Sequence, residues 1–581
     1  MSVWCDNALV FVKTTRVHRG NRTYEYLSLA EAYRNEEGKN RHRTLLRLGE
    51  ASALRDSGEL ERIVTALKRY ATDPGLSDMT GDDVVAVDDM EAEAAPGLGA
   101  VAAVASWWDR LGLGEHFGGG DAAEAIFAMV ANRLVSPSSK RRVPEWAQDD
   151  VAMPPWFSHP PLHHYYRAVD AVADAKEATE EQLYARLTDL ANLDLSLVCY
   201  DLTSTFFEGT TQPSDRFSSR AFGYSRDHRS DRPQIVIGLL CTSDGIPIAH
   251  HVFAGNTSDV STLPDVLADL GGRFGLGRIC VVADRGLVSA DNLDALASGG
   301  FDHVLATRLR RDPATAEALE LSTRADARWV PVPAANSAAC DVTLEDGKRC
   351  VVAASFERWT RDDARTRQLV ARTESKLLDL ERRVRDGRLK DPAKIGRAAQ
   401  RILGPSGVAR LFDVEIGPGH FLYHYQQDTL DYEQQLLSGR YVLTTSLTPT
   451  QATQAEVLTY YRRLAHVEDR FRVLKDFLHL RPVYHWTEDR VRGHIGICVL
   501  AAVIEALITR DLAQADITDP ELTDQTLSCP RALRELDRIR HVTLNTPDRT
   551  IQLITRRSAL QDRILDALNV DTRGWNKTHI T

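Results

Sequence analysis

The segment from Leu195 to Gly209, LSLVCYDLTSTFFEG, constrains the chain more than any other. Leu197 to Tyr200 run straight into Asp201, and Thr203 and Thr205 then alternate with apolar neighbours, which predicts a buried strand. A carboxylate there is unfavourable unless something pairs with it, and a metal ion is a common partner. An aspartate that caps a turn at a strand end is the plainer reading of the same residues.

At 581 residues the chain is too long for one core, and roughly three or four domains are expected. Its 43% hydrophobic and 26% charged residues are those of a soluble globular protein. The eight cysteines, among them Cys199, Cys280 and Cys498, form no CxxC pair. That pattern fits a reducing cytoplasm and argues against a zinc ribbon or a disulfide framework. Asp6, Lys13 and Arg16 interrupt any leader-like apolar run at the start. The most apolar stretch, Ile495 to Ile508, contains Glu505 and at 14 residues (508 − 495 + 1) is short for a bilayer. It predicts a buried helix and no membrane partner.

A net charge of −11 speaks against a nucleic-acid partner until its distribution is considered. Residues 1–49 hold nine Lys/Arg against five Asp/Glu, and 355–410 hold fifteen against eight. Leu76 to Pro96 has seven acids and no base, as expected of a linker.

The first 49 residues alternate around Gly20-Asn21 as a β-hairpin would, with Arg16, Arg19, Arg22, Arg41, Arg43 and Arg47 on or beside it. Those arginines read equally as a solvated face or as DNA contacts. Glu59 to Tyr70 predicts a short amphipathic helix. From Ala100 to Arg142 two helices flank a Gly-rich break, a pattern shared by helix-turn-helix readers and by plain packed helices. The histidines of SHPPLHH (His159, His163, His164) read as loop rather than as a metal site. After Asp201 come an Arg-rich loop from Gln212 to Arg232, the strand QIVIGLLCT, a turn at Asp244-Gly245, and the strand IPIAHHVFA. Ser258 or Asp259 can cap the next helix. RICVVADRG is a buried strand ending on Asp284, Ser289 starts another helix, and FDHVLATRL is one more strand. The order β-β-β-α-β-α-β predicts an α/β fold: a mixed sheet flanked by helices.

The third acid is far away in sequence. Tyr460 to Leu480 predicts one helix, on which Tyr461, Glu468 and Lys475 recur every seven residues and share a stripe, with Arg472 beside it. A helix using that face only for i,i+4 ion pairs would look the same. Two strand-end aspartates, a helical glutamate and a lysine suit two-metal phosphoryl transfer, in which carboxylates hold a pair of Mg²⁺ ions about 4 Å apart.

YDLTSTFFEG, GYSRDHRSDRPQIVIGLL, HVFAGNTSD, VVADRGL and the Y-x6-E-x6-K spacing followed by LRPVYHWTEDRVRGHI resemble bacterial insertion-sequence transposases of the DDE class. The likeness covers roughly residues 195–310 and 440–510. It implies an RNase H-like catalytic core interrupted by a β-rich insertion before the glutamate, with Asp201, Asp284 and Glu468 as the metal-binding catalytic triad. It also implies Mg²⁺ (with Mn²⁺ as substitute), double-stranded DNA as partner at transposon ends and target, a homodimer on DNA, and a cytoplasmic location. Tyr461, Lys475, Arg472, Arg285 and Arg463 are the implied DNA contacts. The family signature Y-x2-R-x3-E-x6-K is broken once, by Leu464 at the arginine position, which Arg462, Arg463 or Arg472 would have to replace.

The organisation expected is a hairpin-and-helix region (1–75), an acidic linker (76–96) and a helical domain (97–192). The catalytic core then runs in two segments, 193–310 and 441–512, on either side of the insertion (311–440). A C-terminal region suited to dimerisation (513–581) closes the chain. The basic run LERRVRDGRLKDPAKIGRAAQRIL lies within the insertion and reads as helix, and Trp359 there is either a base-stacking or an ordinary packing residue. Two other functions compete with a transposase: a Mg²⁺-dependent phosphohydrolase of small phosphoesters, and a catalytically idle DNA-binding derivative.

Overall fold

The computed structural model describes residues 9–19, 22–34, 40–68, 91–191, 196–208, 219–274, 279–307, 312–522, 525–545, 550–572 and 575. The chain divides into two compact units, one of Met1–Glu91 with Leu544–Thr550 and one of Ala92–Thr543 with Ile551–Thr581. In the first, β1 (Leu9–Arg19), β2 (Arg22–Arg34) and β3 (Asn40–Glu50) form an antiparallel sheet in that order, followed by α1 (Ala51–Asp56) and α2 (Glu59–Lys68). The expected hairpin is therefore two strands of three, and its Gly20-Asn21 turn lies outside the described residues. Part of its basic charge is tied across strands: Arg16 opposes Glu25 at 2.7 Å, and Arg43 opposes Glu31. Residues 76–90 of the acidic linker lie outside the described residues. A short strand, β4 (Glu91–Ala94), follows it.

The second unit opens with helices. In α3 (Gly99–Arg110) nine of twelve residues are buried, and in α4 (Gly120–Val135) every residue from Ala123 to Leu134 is. A helix that reads a DNA groove must keep a face free. These two are apolar nearly all round and have none to offer, so the helix-turn-helix pattern is one of core packing. In α5 (Leu162–Asp174) His163 and His164 form part of the first turn, while His159 stays in the preceding loop. Next comes α6 (Lys176–Ala191).

A nine-stranded sheet organises the rest. Its strands are β5 (Leu197–Phe206), β6 (Gln234–Thr242), β7 (Pro247–Ala254), β8 (Cys280–Ala283), β9 (Asp302–Ala306), β10 (Trp329–Val332), β11 (Ser337–Thr343), β12 (Arg349–Ala354) and β15 (Arg440–Thr445). A separate hairpin pairs β13 (Phe412–Gly417) with β14 (His420–Tyr425). The order across the main sheet is β10-β11-β12-β15-β9-β8-β5-β6-β7. Only the β5–β8 and β8–β9 pairs are parallel, and the connections between those strands carry α7 (Leu263–Arg273) and α8 (Ala290–Ser298). Alternation sorts the side chains. Val198, Tyr200, Leu202, Val281 and Ala283 pack under α7 and α8, whereas Leu197, Cys199, Cys280 and Val282 join the core on the opposite face.

The long segment after β9 mixes strands with helices. β10, β11 and β12 continue the main sheet, while α9 (Phe356–Arg385), α10 (Pro392–Leu403) and the β13–β14 hairpin close over a small core around Leu377, Ile395 and Phe421. The basic run is helical, shared between the end of α9 and α10. The sheet's second face is covered by α11 (Gln454–Arg462), α12 (Leu464–Arg472) and α13 (Glu488–Gln514). With 27 residues, α13 is longer than its apolar stretch suggested. By length and composition it can cross a membrane, but 94% of its most apolar window is buried inside the protein.

Candidate active site

The parallel pairing of β5 with β8 matches Leu197 to Cys280 and ends at Tyr200 with Ala283. The next residue on each strand is an aspartate, Asp201 and Asp284, so backbone hydrogen bonds set the two side by side at strand spacing, about 4.8 Å. Both share the parity of Cys199 and Val282 and therefore the sheet face on which α12 packs. Asp201 is not at a strand end as expected. β5 continues to Phe206 because β6 pairs with it along its whole length, Asp201 opposite Leu239, beyond the point where β8 stops.

The helix expected over Tyr460–Leu480 is three pieces. Arg463 interrupts it, with its N–H shared between the Thr459 and Tyr460 carbonyls, and Val473–Phe477 forms a π-turn. Leu464, Val467 and Phe471 bury the inner face of α12, and Glu468, one turn from Leu464, lies exposed at the edge of that face. Asp201, Asp284 and Glu468 line one cleft of about 320 Å³, together with Arg226, Asp259 and Phe471.

The cleft is short of positive charge. Burial first, then the charges of Asp284 and Glu468, push the Asp201 carboxyl up to about 7, against the pull of the Leu202 N–H and Arg226. Glu468 is raised too, by burial and by Asp284 and Asp469. Among the described residues no three His, Cys, Asp or Glu side chains are gathered to grip an ion as they stand. The donors are nonetheless all oxygens, suited to a hard divalent cation, and the raised Asp201 reflects burial first and then like charges with one arginine to offset them.

The other expected residues are mostly engaged elsewhere. Tyr461 donates its hydroxyl to Asp284 Oδ1 at 3.2 Å, so it orients an acid. Lys475 is held by Asp227 at 2.8 Å, with Arg481 on the same carboxylate. Arg463 pairs with Asp244 at 2.9 Å, and Arg472 pairs with Asp469 at 2.9 Å on an exposed surface. Arg285 is exposed beside Asp284 and lines another cavity with Arg358 and Arg365. Leu464 points into the core, and none of the proposed replacements lines the acid cleft: Arg462 donates to the Ala335 carbonyl and the Ser337 hydroxyl.

The arginine that does line it is Arg226, which sequence reasoning passed over. Its guanidinium pairs with Asp259 at 2.6 Å and its backbone N–H donates to Ser204 Oγ at 3.0 Å. Asp259, expected only as a helix cap, starts a 3₁₀ turn and faces the cleft, while Ser258 takes the cap position. Gly286 packs close by: a Cβ there would lie 3.0 Å from Asp259 Oδ2, so the carboxylate would have to give slightly. The density of arginines in GYSRDHRSDRP was the available signal.

A transposase DDE domain model matches residues 195–504, 310 of the 581 (504 − 195 + 1), and the chain belongs to the DDE transposases. More particularly, an IS1634 family transposase N-terminal domain model matches residues 11–78, so this is a transposase of the insertion-sequence kind. No curated protein matches the chain. The mixed sheet fits the RNase H-like core of such domains, and membership implies metal-dependent nuclease or transposase activity on DNA.

Proposed function

We propose that the protein binds the terminal inverted repeats of its own element, cleaves the strands at their ends and joins the freed 3′-hydroxyls to target DNA. Asp201, Asp284 and Glu468 are the residues that would hold a pair of Mg²⁺ ions, or Mn²⁺ in their place. Such ions supply activation of the attacking water or hydroxyl and stabilisation of the leaving oxygen. The chain's own groups do the positioning. Tyr461 fixes one oxygen of Asp284 and leaves the other free to face the cleft. Arg226 offsets part of the acidic charge and presents a guanidinium where a phosphodiester must approach. Arg285, Arg463, Arg472 and Lys475 serve as DNA contacts, Lys475 after exchanging Asp227 for a phosphate. The partner assembly is a homodimer on two DNA ends, with the basic α9–α10 region and residues 1–75 contributing to DNA binding and 513–581 to dimerisation.

The single observation that carries this reading is the register of β5 on β8, which brings two aspartates from distant segments alongside one another under the helix that bears Glu468. Incubating the purified protein with Mg²⁺ and a duplex carrying the element's end tests it. Asp201→Ala, Asp284→Ala and Glu468→Ala should each lower strand cleavage on the order of a thousandfold, several kcal/mol of barrier. Wild-type rates in all three would overturn the site.

A further inference from the structure

A second cavity, of about 520 Å³, opens between the loop Pro137–Arg141, the segment His479–Thr487 and the start of α13. Arg133, Lys140, Arg141, Arg481 and Arg490 line it, and among the described residues no aspartate or glutamate does. Arg133 is buried, which for a charged group calls for a counter-charge, and Lys140 is buried beside it, held well below the usual lysine range by burial and then by the charge of Arg133. Neither has one among the described residues. Arg133 donates only to the carbonyls of Ser138, Leu478 and His479, and Lys140 meets only the His494 ring. The surplus is felt locally: burial and then the charges of Lys140 and Arg133 hold His494 well below the usual imidazole range. Arg481 and Arg490 are partly offset by Asp227, Asp476 and Asp170 outside the cavity, whereas Arg141 is exposed with no ion-pair partner among the described residues.

At the rim stand two aromatics that a soluble surface seldom leaves bare, Tyr484 at 69% and Trp486 at 57% exposure. The cavity also adjoins the acid cleft through the backbone. Arg226 lines the cleft, and the next residue, Asp227, holds Arg481 of the cavity wall. A strand whose scissile phosphate lies at the acids carries further phosphates every few ångströms, about 3.4 Å of axis per step. A cavity joined to the cleft through Arg226 and Asp227 is one such a strand can reach.

We propose that this cavity is an anchoring site for a backbone phosphate of the bound DNA strand, whose sugar or base rests on Trp486 and Tyr484. The phosphate is then the counter-charge to this cluster, with Arg141 and Arg490 reaching it first and the buried Arg133 supplying field from behind. This rests on the transposase reading above, and names a contact that the acids alone do not provide.

Fluorescence anisotropy of the full-length protein with labelled duplex and labelled single strand, across a salt series, tests it. The double variant Arg141→Gln/Arg490→Gln should bind duplex about tenfold more weakly or worse and lower the log-affinity against log-salt slope by about 1 to 2, with an unchanged melting temperature. Trp486→Ala should weaken single-strand binding about tenfold and leave the salt slope as it was. Wild-type affinity and slope in both variants, from a wild type that binds DNA, would overturn the anchoring site and leave the transposase reading intact. A wild type that binds no DNA would sink both. Inorganic phosphate alone separates the sources of the anion: if it raises the wild-type melting temperature while the double variant keeps the wild-type DNA slope, the cavity takes free phosphate and the strand proposal fails.

Discussion

Two carboxylates in the same unit, Glu180 and Asp201, have opposite surroundings. Glu180, on α6, is buried with Lys176 Nζ at 2.8 Å, Arg273 at 2.9 Å, and the His250 backbone N–H donating to it at 2.9 Å. Burial alone would raise its carboxyl, but the hydrogen bond and charge of His250, and then Lys176, hold it at about 2. Asp201 is half-buried among two more acids with one arginine near, and rises to about 7. Where the protein uses a charge for its own architecture it supplies the counter-charges itself. Where it leaves an imbalance, a ligand is expected to complete it.

Three substitutions would break or sharpen that contrast. The largest effect is expected at Glu180→Gln, which strips the anion from Lys176 and Arg273 and should lower stability by about 3–5 kcal/mol in urea titrations. The sign with pH is fixed. A folded-state value of about 2 lies below the unfolded value of about 4.3, so Glu180 stabilises above the latter, and its contribution fades as pH falls towards 2. The gap to Glu180→Gln should therefore shrink on acidification, and a gap that ignores pH would contradict the assignment. Tyr461→Phe, by removing the hydroxyl from Asp284, should slow cleavage about tenfold while the melting temperature moves by no more than a degree or two. Loss of both together would make the tyrosine architectural. Smallest is Gly286→Ala: its new Cβ crowds Asp259 by a few tenths of an ångström, a fraction of the 1 Å misplacement that costs about a hundredfold. A drop of roughly threefold in cleavage at constant stability is expected, and an unaltered rate would remove Asp259 from the cleft's working geometry.

Much of this was legible in local pattern. The runs QIVIGLLCT and RICVVADRG alternate or saturate with apolar residues as strands do, Ser289 caps α8 by accepting from the Asn292 N–H, and Gly245 takes the left-handed conformation its turn needs. Asp284 sits just past its strand as expected. The illegible part consists of pairings between distant segments. Lys475 meets Asp227 across 248 positions and Tyr461 meets Asp284 across 177, and nothing in either neighbourhood announces the match. The stripe of Tyr461, Glu468 and Lys475 assumed an unbroken helix, whereas the break at Arg463 and the π-turn divide it into three pieces. At α3 and α4 the sequence left two readings open, because a two-helix rhythm says nothing of what covers it.

After β9 the chain crosses to the sheet's edge and comes back inward through β10, β11 and β12. It then leaves the sheet for α9, α10 and the β13–β14 hairpin before β15 slots between β12 and β9, with Leu443 opposite Ala306 and Thr445 opposite Val304. The long excursion is thus stitched shut at a seam two strands from Asp201, with β8 in between. At its far end the exposed turn of the β13–β14 hairpin, Pro418-Gly419, should accept inserted residues without disturbing the stitch, while the strands beside it bury Phe412 and Phe421. A slip of one residue at the seam would instead turn alternate side chains from one face to the other. Tolerance to insertion should therefore follow distance from the seam rather than distance along the chain.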